Sequence, residues 1–174
     1  DPVRMDFNYL TSFGADPPRI RLVRDTLDVV GYVAVRRRLL LPILATSWFW
    51  LFGLVILSGL PVFAKEVLFA NEGVVTMMLA LFAMGVGGGS ILAERLLKGE
   101  VSARFVPWSG FAMAGFAIDL SLASATVPPT AIRADVATFL GRSGSWRVIA
   151  DLVCVAMAGG LFTVPLYALI QHES

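Results

Sequence analysis

Charge is what this sequence has least of. Asp, Glu, Lys and Arg together make up 16% of its 174 residues, against 57% hydrophobic, and the mean hydropathy is +0.76. So little charge excludes an ordinary soluble domain, whose charged fraction is about 25%. No patch of Lys and Arg interleaved with surface aromatics occurs, which excludes nucleic acid as a partner. Cysteine occurs once, as Cys154 inside an apolar run, so an internal disulfide is ruled out. With a single histidine, His172, and no Cys–His cluster, neither a metal nor a cofactor has candidate ligands, and Met77, Met78, Met84 and Met113 read as gap-fillers between helices. No Met opens the chain, and its first residues lack the basic start, short apolar core and small-residue cleavage site of a secretory signal. The sequence reads as part of something longer.

What is there instead is a set of long apolar runs. They extend from about Leu39 to Ala64, from Val74 to Leu92 with the helix continuing to 97, from Phe105 to Ala125 and from Trp146 to Ile170. Each is near the ~20 residues that a spanning helix needs. The expected fold is therefore all-α, a polytopic transmembrane bundle with four spanning helices over 39–174. NEG at 71–73, LLKGEVSAR at 96–104 and VPPTAIRADVATFLGRSGS at 127–145 separate the runs, and the prolines and glycines of the last mark it as a loop. Pro42 falls in a first helical turn, and Trp48, Trp108 and Trp146 lie near span ends, where indoles favour the headgroup zone.

Lys and Arg near the span ends give the orientation. Arg36, Arg37, Arg38, Arg95, Lys98 and Arg104 share one side, with Arg19, Arg21 and Arg24 upstream, whereas Lys65, Arg133, Arg142 and Arg147 share the other. The positive-inside rule makes the first group cytoplasmic and the 127–145 loop external. Residues 1–38 then form a cytoplasmic segment. There Ile20, Val23, Leu27, Val30 and Ala34 recur at helical spacing, which leaves open an amphipathic helix on the inner leaflet or a solvated linker.

The stretch GVGGGS at 85–90 has too few features of a phosphate-binding loop: its last position is Ser90 rather than glycine, and no strand precedes it. In a membrane helix it has another use. Gly85 and Gly89 are four apart, as are Val86 and Ser90, so one face lacks bulk and a second helix backbone can approach. Glu94, Arg95 and Lys98 follow at the helix exit, where the dipole suits the cations but not Glu94. Glu94 is therefore expected to find a partner, such as Arg95, Arg104 or a neighbouring helix start.

Two carboxylates lie inside spans. At ~1.5 Å per residue, Asp119 is about 9 Å and Asp151 about 7.5 Å below the external surface, depths at which antiparallel neighbours can meet. A carboxylate there is costly to leave facing lipid. Either one takes up a proton or a cation such as Arg147 or Arg142 reaches in. A substrate or ion pathway and a purely structural pair both fit, as do a gate and a solvated turn for Lys65, Glu66 and Glu72. Trp48 and Trp50 point to different helix faces, so Trp50 is a further pathway candidate. Gly159, Gly160 and Pro165 allow either a hinge or close packing in the last helix.

Ser90 to Lys98, SILAERLLK, resembles the signature of the major facilitator superfamily, matching at Leu92, Ala93, the acid–Arg pair Glu94-Arg95 and the basic Lys98. It departs at Ser90 and Leu97, where the pattern has glycine, and in having Glu for Asp. SWFWLFG at 47–53, LPVFAKEVL at 61–69, NEGVVTMMLALFAMGVGGGSILAERL at 71–96 and GGLFTVPLYALIQHES at 159–174 together resemble the bacterial lysophospholipid transporters of that superfamily. The resemblance implies a partial facilitator fold covering about helices seven to ten. It gives Ser90, Glu94, Arg95 and Lys98 a gating role, and makes the remaining helices of the same transporter and membrane lipid the partners. It further implies passage of a lysophospholipid, typically lysophosphatidylethanolamine, across the bacterial inner membrane, with no enzymatic chemistry in these residues. Some such permeases are fused to an acyltransferase and an acyl-carrier-protein ligase. The alternatives are thus the membrane portion of such an enzyme, or a facilitator for another amphipathic solute.

Overall fold

In the computed structural model the described residues are 25–28, 30–31, 37–98, 102–127 and 132–173. Their regular elements are all helices, with no strand among them. Residues 41–174 form one compact unit and residues 1–40 another. In the second unit Leu27 and Val30 are exposed on a helical segment, while Ile20, Val23 and Ala34 of the expected amphipathic face lie outside the described residues.

The larger unit consists of α1 (Arg37–Val62) from Leu41 onward, continuing into a π-helical turn (Phe63–Val67), α2 (Glu72–Leu97), α3 (Val106–Ser124), a short α4 (Val136–Gly141) and α5 (Ser145–Glu173). Four helices are long and apolar enough to cross a membrane, over Leu40–Val67, Glu72–Leu97, Val106–Ser124 and Ser145–His172. The chain is a membrane protein with an all-α transmembrane fold. The expected boundaries differ from these by a few residues at most. The short α4 inside the 127–145 segment was not expected; that segment is not simply a loop.

The hub is α5. Half of its most apolar window is buried, against 11% for α1, because α2 and α3 both pack along it. Leu152, Val148 and Ile149 of α5 meet Val74 and Met78 of α2 in a core that Phe139 of α4 closes at the loop end. A second core joins Met113 of α3 to Phe162 and Leu166 of α5, with Phe49 and Phe52 of α1 against it.

Helix ends explain how the loop end is built. Pro61 has no N–H to continue the ladder, and the next turn widens so that the Leu68 N–H reaches Phe63 O at 3.1 Å. Phe69 then adopts a left-handed conformation, φ 51°. Its cost for a bulky residue is offset by two bonds that flank it: the Ala134 N–H donates to Phe69 O (2.8 Å) and the Asn71 N–H to Ala134 O (2.9 Å). Asn71 caps α2 by accepting from the Val74 N–H.

Asp135 caps α4 in the same manner, accepting from the Thr138 N–H at 3.0 Å. Hydrogen bonds from Thr138, its hydroxyl first and then its N–H, hold the Asp135 carboxyl below the usual aspartate range. The cap's contribution is therefore complete above the unfolded value of about 4 and is lost as pH falls from there through the lower folded value. Amide exchange at Thr138 is expected to accelerate over that acid window, and Asp135→Asn, which keeps the acceptor without the titration, should remove the pH dependence. An unchanged pH profile in the variant would refute the assignment.

Candidate functional site: a carboxylate–arginine cluster beside an apolar cleft

Arg147 and Asp151 are four apart on α5 and so share a face, one turn from each other. Across from them α3 presents Asp119. Arg147 Nε donates to Asp119 Oδ2 at 3.2 Å, and Arg147 Nη2 donates to Asp119 Oδ1. This two-bonded arrangement fixes the guanidinium plane as well as neutralising charge. Asp119 thus faces the side of α5 that Arg147 and Asp151 share. The environments of the two carboxyls differ sharply: the Asp119 side chain is 37% exposed, whereas Asp151 is 5% exposed and its Oδ2 has no hydrogen-bond partner. Of the two arginines within sequence reach, Arg147 is the one that enters. Arg142 instead donates to Leu68 O at 3.3 Å.

Beside the cluster runs an apolar cleft of about 240 Å³ between α1, α3 and α5. Val55, Leu60 and Phe63 form one wall, and Leu120 and Leu152, the chain neighbours of Asp119 and Asp151, form part of the other. Its lining carries almost no polar surface. Charged groups and hydrocarbon thus meet at one level of the bundle.

Gly85 and Gly89 lie elsewhere, at the crossing of α2 and α5, and both are buried. A Cβ on Gly89 would collide with the backbone carbonyl of Met157, and one on Gly85 would come within 2.7 Å of Ala156 Cβ. The approach is mutual: a Cβ on Gly160 would collide with Val86 O and lie 2.6 Å from Ser90 N. Ser90, where the facilitator signature has glycine, is small enough for this crossing, and its hydroxyl donates back to Val86 O at 3.0 Å. Gly159 leaves room for the Phe49 ring of α1. The glycine pair in α5 therefore serves packing against two different neighbours. Pro165 is fully buried in a helix that continues to Glu173.

Trp50 donates its indole N–H to the Tyr167 hydroxyl at 2.8 Å, tying α1 to α5. Tyr167 was not foreseen as its partner, since only its aromatic-polar character distinguished it. Glu94 does not find the expected partner: it is exposed and, among the described residues, forms no ion pair with Arg95 or Arg104. Exposed in the last turn of α2, it can be solvated without one. Lys98 caps α2 in a left-handed conformation, its N–H donating to Glu94 O. The signature residues are thus brought together by helix geometry, not by a charge network among the described residues.

The chain was compared with protein-family models, curated proteins and solved structures. None matches.

At the loop end, every basic side chain is occupied. Lys65 pairs with Glu72 (3.1 Å), Arg133 pairs with Glu66 (3.1 Å) and donates to Lys65 O, Arg142 donates to Leu68 O, and Arg147 holds Asp119. Arg133 and Arg142 thus supply cations to the carbonyl end of the first span, where the helix dipole is negative. Sequence reasoning missed both roles because the partners are 68 and 74 residues away. At the opposite end, Arg95, Lys98 and Arg104 are exposed and form no ion pair among the described residues.

Proposed function

We propose that this chain is part of a secondary transporter of the major facilitator type that moves a lysophospholipid, similar to lysophosphatidylethanolamine, across the bacterial inner membrane. The observation that carries the reading is the apolar cleft set against the Asp119–Arg147–Asp151 cluster. A single-chain zwitterionic lipid needs both parts in one place: hydrocarbon walls for its tail and charges of both signs for its headgroup. An intramembrane ionisable residue is by default a candidate for a transport pathway, because its burial is costly without a use. The signature at 90–98 and the four blocks around it support the same family. Arg95, Lys98 and Arg104, exposed and without an ion pair among the described residues, favour that end as cytoplasmic.

Uptake of labelled lysophosphatidylethanolamine by spheroplasts expressing the protein tests this. Uptake above that of empty-vector spheroplasts is expected, reduced several-fold in Asp119→Asn and in Asp151→Asn. Equal uptake in all three would remove the site, and none above background in the unsubstituted protein would remove the transporter.

A further inference from the structure

Asp151 is the only buried ionisable side chain among the described residues, and it lies in the interior of a spanning helix. Arg147, one turn away on the same helix, donates from Nε and Nη2 to Asp119, and Asp151 Oδ2 is buried with no hydrogen-bond partner. Among the described residues no other cation forms an ion pair with Asp151. Lys65, Glu66, Glu72, Glu94 and Arg95 all sit at the ends of their helices, and Cys154, one turn along α5, is a free cysteine that carries no positive charge. With both carboxyls ionised, the cluster carries one uncompensated negative charge inside the apolar bundle. A single added proton makes it neutral.

We propose that Asp119 and Asp151 share one exchangeable proton, which rests on Asp151 while Arg147 holds Asp119. The exchange step balances within the cluster. The O–H bond at Asp151 breaks, an O–H bond forms at Asp119, and the negative charge passes to Asp151, which Arg147 follows along its own helix face. Asp119, being partly exposed, then releases the proton to water. No oxidant, metal or second reactant enters. Burial of one carboxyl and exposure of the other make the pair directional: protons enter and leave through Asp119, and Asp151 stores them. Use of this proton to drive transport rests on the transporter reading above; the existence of the proton does not.

The test is infrared spectroscopy of the full chain in phosphatidylcholine vesicles at neutral pH, comparing H₂O with D₂O. The unsubstituted protein is expected to show one protonated carboxyl that shifts on deuteration. It should vanish in Asp151→Asn, and also in Asp119→Asn, where Arg147 is left with a single carboxylate to neutralise. It should persist or strengthen in Arg147→Gln. Absence of the band from the unsubstituted protein, which needs no variant to fold, overturns the proposal, as does a band unchanged in Asp151→Asn. Band and uptake are read separately: a band without lysophospholipid uptake sinks the transporter alone, and uptake without a band sinks the proton alone.

Discussion

Gly89→Leu and Gly160→Leu are expected to unfold the chain in detergent under conditions where the unsubstituted protein is stable, each costing about 3 kcal/mol or more. Even a single added carbon at either position meets the backbone of the facing helix. A backbone carbonyl has no rotamer to escape into, so the helices must move apart. Separation then strips van der Waals contact from the whole length of α2 and α5, which is the principal source of helix association in lipid. Gly85→Ala should do less harm, since its Cβ would approach Ala156 Cβ to 2.7 Å and Val153 O to 3.0 Å, against 2.0 Å from Met157 O at position 89. Gly87→Ala and Gly88→Ala provide the contrast. Nothing lies within 4 Å of a Cβ at either site, so each should be neutral or stabilise by about 0.5–1 kcal/mol through alanine's better helix propensity. Thermal loss of helix in micelles ranks all five. Equal effects at 87 and 89 would mean that the crossing is not where we place it.

Arg147→Gln is the second substitution expected to have a large effect. It removes the cation from a cluster of two carboxyls and leaves Asp119 without its pair of donated bonds. Removing one partner of an ion pair in an apolar setting does more harm than removing both. Uptake is expected to fall about tenfold or more, as commonly follows when a charge pair loses one member. The double variant Arg147→Gln/Asp119→Asn should recover folding, judged by helix content and monodispersity in detergent, without recovering uptake. That split separates the two roles of Arg147. If the double variant transports normally, the pair is only structural; if it folds no better than Arg147→Gln alone, the pair does not exist in the membrane.

Much of this was legible in the order of residues, and the reasons are local. A run such as Val74–Leu92 is long and apolar by itself, so its helix and its need for lipid follow without reference to any neighbour. The four-residue spacing of Gly85 and Gly89, and of Arg147 and Asp151, places each pair on one helix face wherever the helix goes. The cost of a carboxylate in hydrocarbon made Asp119 and Asp151 stand out for the same reason. What could not be read was which faces meet. Gly160 looked as much like a hinge as a contact until α2 lay across it, and Arg142 competed with Arg147 until Leu68 O claimed it. Glu94 was expected to need a partner and has none among the described residues, because its solvation depends on where the helix tip ends.

The division has one physical origin. Helix length, span number and the small-residue face are set by interactions within about one turn of chain, so the sequence alone determined them. The choice of α5 as hub, the seating of Phe139 over the core, the guanidinium shared between α3 and α5, and the stranded oxygen of Asp151 depend on residues 28 to 74 positions apart or more. Only the packed bundle decided those, since close packing selects one pairing of helix faces from many that are equally apolar.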